Sequence, residues 1–544
     1  MPGERPVPVE PDVDVLVVGA GPTGLTLAAQ LAQYGTRLRF IDRQLDRVHE
    51  SRALGVQPRT LEVLAGLGVT DELVDRGNQA VRLQMHFGRR VVPVRLFDIG
   101  IDDTAYPYLL FVSQAETERI IGEHVTSRGV NLERGVELTE IIQTGRCVSC
   151  RLRHRNGREE TLNARYVVGC DGAHSTVRDQ AGIAFEGSAY PQTFVLADLE
   201  AEGIAPDWAH AFISANGILF FFPLRVPTTW RILAMRPRAD EPTVEPTVTL
   251  AEVQGLIDGY TTTRVRVRDP VWMTNFRLHN RGAAHYRAGR VFLAGDAAHI
   301  HSPAGAQGMN TGIQDAINLG WKLALVSAGL ADPRLLDSYE PERAPVGRMV
   351  LRFTDRAFTV ATSPSPVVRF ARTQLAPLLV PLVLRLTAGR AYGFRTVSQL
   401  AIRYRRSPLS VEGPDAPRHG PRAGDRLPDA PITQNGRAVT LQRALAATGF
   451  YLLLCGPTAF RPPAAAARLA DRYAGLVAVH HLTSDVGPDT LHDHTGAALR
   501  RLGVDDSRPA HFLVRPDGYI AFRGGADLSG VRAYLARMII GVSE

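Results

Sequence analysis

Asp14-Val-Leu-Val-Val18-Gly19-Ala20-Gly21-Pro22-Thr23-Gly24 is the stretch that decides the fold. The valine-rich run Asp14 to Val18 has strand composition, and the pattern Leu25 to Tyr34 behind the glycines is helical. Strand, turn and helix thus enclose a G-x-G-x-x-G spacing. Gly19 permits the tight turn, Gly21 lets a pyrophosphate approach the backbone, and Gly24 lets the helix pack close to the strand. Free N–H groups at the helix start then face the phosphates. A second strand, Arg37 to Ile41, ends at Asp42 and Arg43, about 20 residues on, where a carboxylate can accept hydrogen bonds from a ribose. These features predict dinucleotide binding, but NAD and FAD share an ADP half and the fingerprint does not choose between them.

Two later segments do. Tyr166-Val-Val-Gly-Cys-Asp171-Gly172-Ala-His-Ser175-Thr-Val-Arg178 reads as a buried strand, a polar turn and a helix start. Arg290-Val-Phe-Leu-Ala-Gly295-Asp296-Ala-Ala-His299 repeats that arrangement and leads into Ser302-Pro303-Ala-Gly-Ala-Gln-Gly308-Met309-Asn310, with a helical pattern over Thr311 to Leu325. Turns at the carboxyl ends of buried strands are where open α/β sheets place ligands.

The three motifs in this order, across Val13 to Leu351, resemble the group A flavoprotein monooxygenases, the para-hydroxybenzoate hydroxylase-like aromatic hydroxylases. The resemblance implies FAD, reduced by NAD(P)H, and hydroxylation of an aromatic or polyketide-type substrate with O2 through a flavin C4a-hydroperoxide. It also leaves Baeyer–Villiger oxidation and epoxidation as outcomes of the same cofactor chemistry. By the same resemblance the fingerprint holds the ADP part, Asp171 and Gly172 serve FAD and NAD(P)H, Gly295 and Asp296 hold the ribityl chain, and the backbone at Gly308, Met309 and Asn310, with Pro303 before it, faces the flavin. Arg52, in Glu50-Ser-Arg-Ala-Leu-Gly-Val-Gln-Pro, is implied as a flavin neighbour. Gln114 is implied as a cofactor contact; independently, Ser113-Gln-Ala-Glu116 reads as a capping box opening a helix that includes Glu118. The loop departs from its relatives in carrying Ala304 and Ala306, whose methyl groups restrict the backbone beside the flavin. No second G-x-G-x-x-G and no Trp-x-Trp-x-Ile-Pro occurs, which argues against two-dinucleotide monooxygenases and flavin-dependent halogenases. A flavin-containing protein that binds ligand without turnover is the rival from another class.

Bulk properties bound the remainder. At 544 residues and 45% hydrophobic content the chain calls for two to four domains. The net charge of +7 is carried by arginine, with Lys322 the single lysine, and no basic stripe interleaved with aromatics points to nucleic acid. Four cysteines make no disulfide framework. Cys147 and Cys150 sit in strand-like sequence without a second pair, and His299-Ile-His301 lacks carboxylate partners, so no metal site is expected. The apolar stretch Leu375 to Leu384 is too short to span a membrane and reads as a buried helix or a partner-facing surface. A cytoplasmic location and a homodimer are the expectations.

The fold class expected is α/β: a Rossmann-like FAD-binding domain (12–184 and 276–355) with an inserted β-sheet substrate domain (185–275), a helical segment (356–410), and a thioredoxin-like C-terminal α/β domain (411–544). Strand patterns at Thr193 to Leu196, Ile213 to Pro223 and Thr229 to Met235 define the insert, with Tyr190, His210, Arg225 and Arg231 as candidate polar groups and no catalytic base assigned. The polar, proline-rich Ser407 to Arg426 reads as a linker. Beyond it, strand and helix patterns alternate, ending in a hairpin around Pro516-Asp517-Gly518; the last part resembles the thioredoxin-like tail of longer family members, and Cys455 there lacks a CxxC partner.

Overall fold

The structure, a computed structural model, describes residues 10–47, 53–80, 82–95, 101–206, 208–214, 217–224, 228–236, 247–302, 305–363, 365–383, 387–445, 448–457, 463–505 and 508–540. Arg52, Arg225, Pro303 and Ala304 lie outside them.

Strand Val13–Val18 sits at the middle of the first sheet, paired in parallel with Leu38–Asp42 on one side and Glu159–Gly169 on the other, with Val291–Leu293 beyond. Val15, Leu16 and Val17 are fully buried, which explains an apolar run that does not alternate: both faces of this parallel strand are covered. Helix Pro22–Gln33 packs on the long helix Gly308–Ser327 at very short range. A Cβ on Gly312 would fall 2.3 Å from Thr23 Oγ1, so only glycine allows this approach. This is the Rossmann-like core the motifs called for.

The second sheet runs, in order, His299–Ile300, Arg266–Ala283, Phe185–Glu202, Trp230–Met235, Gly217–Pro223, Ala209–Ser214, Arg82–Phe87 and Arg90–Arg95. It differs from the sequence reading in two ways. The hairpin Arg82 to Arg95, well upstream of the insert, completes its edge through parallel pairing of Leu83–His86 with Ala209–Phe212. One 18-residue strand, Arg266–Ala283, runs through position 275, so the expected end of the insert lies within a strand and not at a junction. Its far half alternates the polar residues Asn275, Arg277, His279 and Arg281.

In the C-terminal part, Phe450–Cys455 pairs in parallel with Val477–Thr483 and antiparallel with Ala510–Val514, which forms the hairpin with Ile520–Gly524. Helices Pro463–Arg472 and Ser529–Met538 complete a thioredoxin-like order. Cys455 is buried and its thiol pushed well up by that burial. Ser407 to Arg426 is not a free linker: Val411–Glu412 adds a strand beside Phe522–Arg523, and Arg426 is buried against Glu62 and Asp103. At its end Asp425 and Arg426 are buried in ion pairs, which composition cannot tell from solvation. The apolar helix Ala376–Val383 is not wholly buried, since Leu378 and Leu379 are exposed. Among the described residues no helix is long and apolar enough to cross a membrane.

Candidate active site

The glycines of the fingerprint divide by role. Gly19 adopts φ +101°, and a Cβ there would meet Cys170 O at 2.4 Å; one on Gly24 would meet Gly19 O at 1.9 Å. Both close backbone onto backbone. A Cβ on Gly21 would meet nothing within 4 Å, and Gly21 caps helix Pro22–Gln33 without a side chain over its N–H groups. The open position is where a diphosphate approaches a helix N-terminus. Asp42 accepts from Ala20 N–H at 2.6 Å and from Gln44 N–H at 2.7 Å, so the carboxylate staples this turn, while Arg43 is exposed.

Gly21 opens into a cavity of about 1310 Å³. Gly172, Asp296, Gly308 and Met309 line it from the first sheet's side; Phe194, Leu196, Phe220, Phe222 and Leu233 line it from the second sheet. Asp171 points elsewhere. Its carboxylate accepts from Ser175 Oγ at 2.5 Å and Val177 N–H at 3.1 Å, holding the helix Thr176–Gln180; burial raises its pKa against the pull of those donors. Arg178 of that helix donates to Ala297 O at 3.2 Å, tying the Asp-Gly turn to the Gly-Asp turn.

Gly295 N–H donates to Asp315 Oδ2 at 3.1 Å, and Asp296, next in the chain, lines the cavity. Burial would raise the Asp315 carboxyl, but Arg343 at 2.6 Å and His299 at 2.7 Å outweigh it and hold it below the usual range. The first intrahelical bond of Gly308–Ser327 is Thr311 N–H to Gln307 O, so the N–H groups of the preceding turn come before any intrahelical acceptor. The Asn310 side chain instead serves the protein: its Oδ1 accepts from Gln57 N–H at 2.8 Å and its Nδ2 donates to Gly55 O at 2.7 Å. Gln114 lines the cavity, accepts from Ala53 N–H and donates to Glu118 Oε1 at 2.8 Å. Ser113 caps its helix by accepting from Glu116 N–H, as its sequence foretold.

The three substrate-side candidates that are described, Tyr190, His210 and Arg231, bond to the protein itself. Tyr190 donates to Asp355 at 2.7 Å. His210 donates from Nε2 to Ala205 O and accepts at Nδ1 from His86, 3.1 Å away. Arg231 is fully buried, forked onto Asp198 and bonded to Ala53 O. From the second sheet, Asn275, Arg277, His279 and Arg281 of one strand line the cavity, with His301 beside Gly308. A two-residue polar period was the signal that could have found the four. Among the described residues no cluster could hold a metal ion.

A parallel sheet with three strand-end turns converging on one large cavity, roofed by a second sheet, defines an FAD-dependent oxidoreductase. The chain matches the family described as FAD binding domain over residues 12–354 and the aromatic-ring hydroxylase C-terminal family over residues 420–540. It belongs to the FAD-dependent aromatic-ring hydroxylases and is a flavoprotein monooxygenase. Among its relatives are 6-methylpretetramide 4-monooxygenase of Streptomyces rimosus, 36% identical over 96% of this chain and 92% of the relative, and pentachlorophenol 4-monooxygenase of Sphingobium chlorophenolicum, 32% identical over 95% and 94%. The structure of aklavinone-11 hydroxylase with FAD and aklavinone superposes with a TM-score of 0.78 at 26% identity, covering 97% of this chain and 99% of that one.

Proposed function

We propose that the cavity holds FAD and a polycyclic phenolic substrate side by side, and that the enzyme hydroxylates that substrate with O2 and NAD(P)H. The observation that carries this is size with asymmetry. At about 1310 Å³ the cavity exceeds the several hundred Å³ of an ordinary single-ligand pocket, and one wall is glycine turns while the other is aromatic and aliphatic. The residues fit the cofactor: Gly21 leaves open the space a side chain would fill, Asp296 presents a carboxylate for ribityl hydroxyls, and Gly172 and Gln114 border the same space. FAD supplies the redox and oxygen-transfer chemistry when bound.

The chain's own residues do the remainder. The start of helix Gly308–Ser327 carries partial positive charge toward the cavity and stabilises negative charge on a ring edge placed there. Phe194, Phe220, Phe222 and Leu233 hold an aromatic system flat and keep water out. Asn275, Arg277, His279 and Arg281 offer donors to oxygen substituents along one edge. The names of the relatives above support a polycyclic or substituted phenolic substrate. A cytoplasmic location and a homodimer are part of the same proposal, the latter supported by exposed Phe370, Leu378 and Leu379 and checked by mass in solution.

Substrate-stimulated NAD(P)H oxidation tests the enzyme reading. FAD-loaded protein should oxidise NAD(P)H faster by about tenfold or more when a fitting polycyclic phenol is added, the range of an effector coupled to the reacting site. Tight binding of such a phenol with no NAD(P)H consumed overturns it.

A further inference from the structure

The sole lysine of the chain is fully buried inside a set of charges that joins the thioredoxin-like part to the flavin-binding part. Lys322 Nζ donates to Glu342 Oε2 at 2.8 Å and to Asn318 Oδ1 at 2.9 Å, both Asn318 and Lys322 being on helix Gly308–Ser327. Arg515, from the C-terminal hairpin, forks onto the same Glu342 at 2.6 and 2.9 Å and onto Asp517 at 2.9 and 2.5 Å. Asp517 in turn accepts from Asn318 Nδ2 at 3.3 Å, and its carbonyl accepts from Arg59 Nη2 at 2.6 Å. The residue after Glu342, Arg343, donates to Asp315 at 2.6 Å, and Asp315 accepts from Gly295 N–H.

Three cations, Lys322, Arg343 and Arg515, therefore face three carboxylates, Asp315, Glu342 and Asp517, none more than 2% exposed. Buried charges of this kind stay ordered only while each is matched, because an unmatched one has no water to turn to. The arms of the set are the two backbone features that face the cavity. Asp315 fixes the Gly295-Asp296 turn from behind, and Asp517 and Glu342 hold the helix that starts at Gly308 through its Asn318 and Lys322. Arg59 opens a third arm, since its helix, Pro58–Ala65, follows Gln57, which lines the cavity and bonds Asn310.

We propose that Arg515 and Asp517 are positioning residues for the flavin: the hairpin of the thioredoxin-like domain completes the buried charge set that holds the Gly295-Asp296 turn and the Gly308–Ser327 helix in binding geometry. This gives that domain a part in cofactor binding from a face remote from the cofactor, and it rests on FAD lying along that turn and helix.

FAD titration of the full-length apoprotein tests it, with flavin fluorescence for affinity and visible circular dichroism for the bound ring's surroundings. Asp517→Asn keeps the shape and removes one negative charge; it should raise the FAD Kd about tenfold and alter the flavin dichroism, as expected for coupled sites. Adding Lys322→Met to Asp517→Asn restores two cations against two carboxylates and should recover most of the affinity. Leu453→Ala, in the apolar core of the same domain, is the control: it should lower Tm while leaving the FAD Kd within about twofold, because it removes packing and no charge. The proposal is overturned if Asp517→Asn binds FAD like the wild type, if Lys322→Met brings no recovery, or if Leu453→Ala weakens FAD as much. Wild-type protein that fails to bind FAD would overturn the cofactor reading itself, a separate result.

Discussion

Gly21 and Gly24 are chemically identical and two residues of opposite consequence. Gly24→Val should destabilise the protein by several kcal/mol with or without cofactor, because its side chain enters Gly19 O. Gly21→Val should leave the apoprotein's Tm within about 2 °C, as surface changes do, yet raise the FAD Kd by about a hundredfold or more. Equal losses of Tm in the two variants would contradict the division of roles. A second residue-scale outcome concerns acid. His301 Nδ1–H donates to Ser302 O at 2.9 Å, and burial pushes the imidazole from 6.5 down to about 4. Between those values the unfolded chain takes up a proton that the folded chain refuses, so stability is full above pH 6.5 and falls as pH drops toward 4. The loss is about 1 to 3 kcal/mol, the lower end applying because the ring is only half-buried. Urea unfolding of wild type and His301→Gln at pH 7 and 4.5 checks it: the variant should lose less. The glycines were legible in sequence because backbone sterics act within a few residues. Asp171 bonds Ser175 and Val177 within its own turn, whereas the Asn310 side chain meets Gln57, more than two hundred residues away, a partner that local sequence does not reveal.

At the scale of elements, the loop into helix Gly308–Ser327 bends through an alanine of left-handed conformation. Ala306 takes φ +53°, a left-handed conformation that costs a residue with a Cβ about 1 kcal/mol. Its methyl explains a glycine on another segment: a Cβ on Gly55 would stand 2.9 Å from Ala306 Cβ. Gly55→Ala alone should destabilise by about 1 to 3 kcal/mol, and less in an Ala306→Gly background, giving a coupling of at least about 0.5 kcal/mol in a double-mutant cycle. Additive effects would show that the two segments do not press on each other. The departure at Ala306 was visible in sequence; its partner was not, because contact between the loops is long-range. The same limit hid the strand Arg266–Ala283, whose polar alternation is explained only by the cavity it lines. It also hid the hairpin Arg82 to Arg95, which reaches its sheet across more than a hundred residues of chain.

For the whole molecule, the order of motifs along the chain was enough to foresee a Rossmann-like core, an inserted sheet and a thioredoxin-like end, because each motif is a local strand-turn unit. How the parts join was not legible. Arg59, Glu62, Asp103 and Arg426 form a second buried ion-pair set between the first and last parts, alongside the one around Glu342. With both sets buried, the parts should unfold together: calorimetry should give one transition, and a separate C-terminal melt would contradict the coupling. The central claim is that the paired walls of one cavity place an aromatic ring beside a reduced flavin for oxygen transfer. Mass spectrometry of products formed from polycyclic phenols under 18O2, with FAD and NAD(P)H, tests that claim most directly. The account predicts one 18O atom in the product for each NAD(P)H oxidised. NAD(P)H oxidation that yields only hydrogen peroxide, or a product whose added oxygen comes from water, would contradict it.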